Sequence, residues 1–205
     1  MAQAGTIWTI GHSTHSIEAF VALLKHYQLE AVADVRRFPG SRRLPQFGEE
    51  ALRSGLRKQG IDYLLITELG GRRRPAVDSV NTAWNNPSFR GYADHVGSAE
   101  FRIGLERLQG LAAQRRTAMM CAEILWWRCH RSLISDVLMV SGIKVIHIQD
   151  ERHSEEHPFT RPARLYRGVL TYDATKGEPL NDKERRHGIQ AQPDFRATRS
   201  GDRRP

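Results

Sequence analysis

Residues 6–36 read TIWTIGHSTHSIEAFVALLKHYQLEAVADVR, and the change of period inside this stretch decides the fold. Thr6 to Ile10 is a short run of β-branched and aromatic residues that stops at Gly11, the composition of a buried strand. Ser16 is placed as a helix N-cap, and Ile17, Phe20, Val21, Leu24 and Tyr27 then recur at helical spacing. Ala31 to Val35, apolar but for Asp34, reads as a second buried strand. Strands of this kind want cover on both faces, which is what the crossover helices of a parallel sheet provide.

The alternation continues outward from there. A loop rich in Pro, Gly and Arg spans Arg37 to Pro45, a helix is expected over Glu49 to Gln59 with Gly60 ending it, and Ile61 to Ile66 reads as a third strand. Ser98 opens an amphipathic helix carrying Phe101, Leu105, Leu108 and Ala112; Thr117 to Cys121 is a fourth strand. Leu133, Ile134, Val137 and Leu138 mark the next helix, which Gly142 stops before a fifth strand at Lys144 to Ile148. Between Thr67 and Gly97 no apolar period is sustained, so a long substrate-facing loop is expected there. Arg164 to Thr171 fits an edge strand or a hairpin arm. The expected fold is a three-layer, Rossmann-like α/β domain with a mostly parallel sheet of about five strands.

A chain of 205 residues fits one domain. That domain is expected over residues 1–173. From Ala174 to Pro205 there are eight Lys or Arg against five Asp or Glu and few apolar residues, the composition of a basic, disordered tail. No apolar run suggests a membrane span and no signal pattern opens the chain, so no membrane partner and a cytoplasmic location are expected. Two cysteines make no disulfide framework, so Cys121 and Cys129 are read as thiols. The net charge of +8 attracts nucleic acid, nucleotides and phosphorylated metabolites alike.

Residues with chemistry to offer fall where strands give way to loops. His12 and Ser13 follow the first strand, Asp34 and Arg36 close the second, and Glu123 with Cys129, His130 and Arg131 follows the fourth. In an open parallel sheet these ends share one edge, where ligands bind. Asp34 and Arg36 lie two apart on a strand and so face the same way; they form either a structural ion pair or a base with a ligand clamp. His12 either bonds within a tight turn or polarises a reacting group. Glu123 is the leading candidate for a catalytic carboxylate, since an acid after an apolar strand is costly to bury unpaired. Cys129, His130 and Arg131 precede a helical period, so an anion is favoured at that terminus, and the same field would lower the thiol pKa of Cys129 and make it a nucleophile. Cys121, inside an apolar strand, is read as a small core residue. Trp126 and Trp127 either stack a base or pack to shape a loop.

Phosphate-cradling Gly-x-x-x-x-Gly-Lys and dinucleotide Gly-x-Gly-x-x-Gly motifs are absent, which argues against nucleoside triphosphate hydrolysis. Zinc would need ligands beyond Cys121, Cys129 and His130, whose spacing matches no usual paired-ligand pattern; a metal held by His12, Asp34 and Glu123 is the weaker alternative, and no metal and no cofactor are the expectation.

Several short motifs together carry a resemblance. Thr9-Ile10-Gly11-His12-Ser13, Asp34-Val35-Arg36, Pro39 with Ser41, Gln46-Phe47, Glu68-Leu69-Gly70-Gly71, Gly91-Tyr92-Ala93 and Cys121-Ala122-Glu123 leading to Cys129-His130-Arg131 resemble the bacterial domain-of-unknown-function 488 family. The likeness runs from about Ile7 to Ile148 and implies an α/β fold, without a settled reaction. The expected function is an enzyme, a hydrolase or group transferase, acting on a phosphorylated, nucleotide-like or nucleic-acid substrate. Its candidate catalytic residues are Glu123, Asp34, His12 and Cys129; Ser13, Arg36, Ser41, Tyr92, Trp127, His130 and Arg131 are the candidates for holding substrate. The competing expectation is a non-catalytic module that captures nucleic acid or a nucleotide through the arginine clusters and the two tryptophans.

Overall fold

The chain alternates strand and helix through β1 (Thr6–Gly11), α1 (Ile17–His26), β2 (Ala31–Asp34), α2 (Glu49–Arg57), β3 (Asp62–Leu65), α3 (Pro87–Val96), α4 (Ala99–Ala112), β4 (Thr117–Cys121), α5 (Arg131–Val140) and β5 (Lys144–Ile148). These elements come from a computed structural model that describes residues 5–40, 43–180 and 183–184. Three short strands follow, β6 (Ser154–Glu156), β7 (Arg164–Tyr166) and β8 (Val169–Thr171), and then β9 (Glu178–Pro179).

The main sheet has the order β3-β2-β4-β1-β5-β6. Its first five strands are parallel and β6 is added antiparallel to β5. Alternation within each strand sends side chains to two separate cores. Trp8, Ile10, Val32, Ala118 and Met120 meet Phe20 and Leu24 of α1 and Leu52 and Leu56 of α2. Ile7, Ala33, Met119 and Val145 meet the opposite layer, where Phe101, Leu105 and Leu108 of α4 and Leu133, Ile134 and Leu138 of α5 lie. With helices on both faces, both sides of a central strand are buried, which is why β2 and β4 read as mostly apolar, with Asp34 and Thr117 only at their ends. The result is a three-layer α/β fold.

Local signals hold where they are specific. Ser16 and Ser98 cap α1 and α4, their hydroxyls accepting from Ala19 N and Phe101 N, and Gly60 and Gly142 take the left-handed conformation after α2 and α5. The stretch from Thr67 to Gly97 differs from expectation, because α3 occupies its last third. Asn86 caps this helix, Pro87 sits at its first position, and Phe89, Tyr92, Ala93 and Val96 form a helical face buried in or against the core. Gly91 within that face weakens the helical signal but is required, since a Cβ there would lie 2.5 Å from the carbonyl carbon of Arg74. Arg164–Thr171 forms a hairpin, and β9 pairs with the same strand β7. The expected boundary at 173 therefore falls inside a small sheet, whereas 181–182 and 185–205 of the expected tail lie outside the described residues. No helix among the described residues is long and apolar enough to cross a membrane.

Strand order fixes where a ligand would sit. The chain leaves β1 toward β2 on the α1 side and leaves β4 toward β5 on the α5 side, yet β1 and β4 are neighbours. Divergence of adjacent strands opens a crevice at their carboxyl ends.

Candidate functional site

Three segments meet in that crevice. His12 N donates to Cys121 O and Ser13 N to Ala122 O, each at 2.9 Å, and Val35 N donates to Met120 O at 3.0 Å. The approach is closest at Gly11, where a Cβ would lie 2.1 Å from the Glu123 carbonyl oxygen, so only glycine fits.

Asp34 is fully buried and saturated. It accepts from Arg36 N at 3.0 Å, from Arg36 Nε at 2.9 Å, from Arg36 Nη2 at 2.5 Å and from the Tyr63 hydroxyl at 2.7 Å. Arg36 Nη1 lies 3.2 Å from His12 Nε2, whose other nitrogen, Nδ1, is 3.0 Å from the Ser13 carbonyl. Since guanidinium and carbonyl have fixed roles, Nδ1 carries the proton and Nε2 accepts. The ring also stacks on Phe47 at 4.1 Å. With every polar atom of Asp34 and His12 engaged, the pair orients Arg36.

Burial first, and then the Arg36 charge, push the pKa of His12 down to about 4, against the pull of the Ser13 carbonyl and Asp34. Burial, His157 and Arg131 push His147 down well below its ordinary range. The sign follows from proton uptake. Between an unfolded value of 6.5 and about 4 the unfolded chain binds a proton at position 12 that the native chain refuses, so stability rises with pH across that window. The melting temperature is expected to hold above pH 6.5 and to fall toward pH 4, with His12 alone contributing about 3 kcal/mol. Thermal melts of the wild type and His12→Gln check this; an equally steep slope in the variant removes His12 as a cause.

A sulfur and imidazole cluster forms the floor of the crevice. Cys121 ends β4, and a 3-10 turn at Trp126–Arg128 returns the chain so that Cys129 lies beside it. Cys129 Sγ is 3.5 Å from His130 Nδ1 and accepts from Arg131 Nε at 3.4 Å. His130 Nε2 donates to Val35 O at 3.0 Å. Burial would raise the Cys129 thiol, but the hydrogen bond from Cys121, with His130 and the Arg131 charge beside it, outweighs this and holds the group well below the ordinary thiol range. Cys121, bonded to Cys129 and buried, is pushed up.

Arg131 lies wholly beneath this floor. Its Nη2 donates to the carbonyls of Glu123 and Ile124, and Nη1 to Thr9 Oγ1 at 3.3 Å. From Thr9 a buried chain runs on: Thr9 Oγ1 to His147 Nδ1 at 2.6 Å, His147 Nε2 to His157 Nδ1 at 2.8 Å, and His157 Nε2 to Asp136 Oδ1 at 3.0 Å. With Arg131 only donating and Asp136 only accepting, a single direction of donation can run the length of the chain, from Arg131 to Thr9, Thr9 to His147, His147 to His157 and His157 to Asp136.

Above the floor is a cavity of about 610 Å³. Ser13, Arg36, Tyr92, Glu123, Cys129 and His130 line it, as the sequence reading grouped them. His12, Asp34 and Arg131 lie behind its wall, and Trp127, 46% exposed, lies outside it. Ser41 lies outside the described residues. The sequence reads Cys121 as core, and marks Arg37, Arg72 and Arg128 only as charge clusters or as a neighbour of Cys129, without placing them at the pocket whose wall they form. These three form no ion pair with a described acid, whereas Arg73 is tied to Glu100 and Arg107 to Glu68. Their places after strand ends and before Cys129 were the available signal. Tyr92 presents its ring, its hydroxyl being spent on Leu69 O at 2.6 Å.

The family model described as Domain of unknown function DUF488 matches residues 16–138. This chain belongs to the DUF488 family. The match covers β2, β4 and the cysteine floor, and leaves His12, His147 and Tyr172 outside it. No curated protein and no solved structure matches the chain, so the residue roles in this DUF488 site rest on its geometry.

Proposed function

We propose that this DUF488 protein is an enzyme, a hydrolase or group transferase, acting on a phosphorylated, nucleotide-like or nucleic-acid substrate in the cavity at the sheet's carboxyl edge. The observation that carries this reading is the meeting of Arg37, Arg72 and Arg128, which form no ion pair among the described residues, with Glu123 and the Cys121, Cys129 and His130 cluster in one concave space. Arginines hold an anionic group, and a water-poor floor strengthens every charge that acts on it. Asp34 and His12 are engaged with Arg36 and serve to orient it, so Glu123, exposed at the rim, is left as the acid or base.

A thermal-shift screen of wild type and Glu123→Gln against inorganic phosphate, nucleotides, sugar phosphates and short DNA or RNA tests this. A small phosphorylated compound at about a hundred times its Kd should stabilise both proteins by about 2.7 kcal/mol, and turnover should appear in the wild type alone. Undiminished turnover in Glu123→Gln would remove that residue from the chemistry.

One observation favours the binding-module reading. Trp127 stands exposed beside Arg128 and away from the cavity, as a stacking platform for a single strand would. A response confined to polynucleotide, falling steeply with salt, would favour that reading.

A further inference from the structure

Cys121 Sγ, Cys129 Sγ and His130 Nδ1 all lie within 4.8 Å of one another, among the described residues. Four-coordinate zinc with two sulfurs and one imidazole nitrogen sets its donors roughly 3.5–3.8 Å apart, and the Cys129 Sγ to His130 Nδ1 distance is already 3.5 Å. The spacing in sequence suggested no such site because its donors come from different elements: Cys121 from the end of a strand, Cys129 and His130 from the start of a helix.

Three further features suit a metal better than a bare thiol pair. Donation from His130 Nε2 to the Val35 carbonyl leaves the lone pair on Nδ1, the nitrogen facing the sulfurs; metal-binding histidines are oriented in this way. Arg131 Nε donates to Cys129 Sγ and offsets negative charge on a thiolate ligand. Gly71 leaves Nδ1 uncovered, since a Cβ there would lie 2.8 Å from it. All three donor residues border the cavity, so a fourth coordination position would open into it.

We infer that Cys121, Cys129 and His130 form a binding site for a divalent metal ion of borderline softness, zinc by the chemistry of its donors, with one position open to the cavity. Three protein ligands and an open place are the arrangement in which zinc activates water or polarises a substrate oxygen. The inference rests on the proposed function only for the use made of the metal. The ligands are two thiolates and a neutral imidazole, so any proton still held on either sulfur or on Nδ1 goes to solvent, with no change of oxidation state.

The test reads the metal itself. The full chain, purified under a non-chelating reductant, is assayed for bound zinc, stripped with a chelator and titrated with Co²⁺. Expected are one zinc per chain and, with Co²⁺, thiolate charge-transfer absorption with the intense visible bands of tetrahedral coordination, shifted by added azide at the open position. Cys121→Ser should weaken Co²⁺ binding by at least ~100-fold, beyond the loss usual for a supporting contact. Gly71→Ala, which keeps all three donors and crowds Nδ1, should weaken it as well, with folding of both variants checked by circular dichroism. Two freely reactive thiols with no zinc and no tetrahedral cobalt spectrum in the wild type overturn the site, as does a Cys121–Cys129 disulfide in its place. A spectrum unmoved by azide overturns the open position. Failure of the proposed function would instead appear as no stabilisation by phosphorylated compounds, which none of these spectra measures.

Discussion

Asp136→Ala is expected to destabilise the protein by about 4 kcal/mol, the usual range when a buried, multiply bonded polar group is removed. The carboxyl is fully buried and accepts from His157 Nε2 at 3.0 Å, Thr160 N at 2.8 Å, Thr160 Oγ1 at 2.6 Å and the Tyr172 hydroxyl at 2.8 Å. Alanine leaves all four donors facing a cavity. Hydroxyls can rotate toward other acceptors, but a backbone N–H and an imidazole held edge-on by Trp126 and His147 cannot. Asp136→Asn keeps the volume and one acceptor, so it should cost less. Denaturant unfolding with unchanged slope and a lowered midpoint, Ala below Asn below wild type, is the expected pattern. Equal midpoints for Ala and wild type would mean that water or a neighbour replaces the carboxyl, and that the buried chain ending at Asp136 is not needed to hold Arg131.

Asp34→Ala is the second large effect, also about 3–5 kcal/mol, because it strands a buried guanidinium without its partner. Arg36 has its side chain 8% exposed and would keep only His12 and solvent at the cavity wall. The pair costs more to break than it contributes when intact, so Asp34→Ala with Arg36→Met should recover part of the loss. A double-mutant cycle on unfolding midpoints measures this. Additive losses would show that Asp34 acts through Tyr63, whose hydroxyl it accepts at 2.7 Å, and not through Arg36.

Those two carboxyls mark the limit of what the sequence reveals. Periodicity and caps located the five parallel strands and most helices, because Ser16, Ser98, Gly60 and Gly142 are signals that act within a few residues. α3 escaped because Pro87, Gly91 and its polar residues hide a face made of Phe89, Tyr92, Ala93 and Val96. The convergence of strand ends at one edge was legible from alternation alone. Partnerships across the sheet were not: Tyr63 reaches Asp34 only because β3 lies beside β2, and Thr9 meets His147 across 138 residues because β5 lies beside β1. Cys121 looked like core for a sound reason, since an apolar strand surrounds it. Its last position, beside a returning turn, is what turns it toward the cavity. Trp127 was singled out for its aromatic ring, but the turn that directs its neighbour Trp126 inward onto His147 leaves it facing away.

The order β3-β2-β4-β1 also has a consequence for synthesis. When residues 6–65 have left the ribosome, β2 and β3 can pair, but β1 has no neighbour, since both its partners, β4 and β5, are still to come. The sheet closes only when β4 slides between strands that preceded it by many residues. Long-range pairing of this sort is slow and leaves apolar edges uncovered meanwhile. The same insertion brings Cys121 and Glu123 to His12 and Asp34, so a nascent or truncated chain ending before residue 121 would be an aggregation-prone fragment with half a sheet and no site at all.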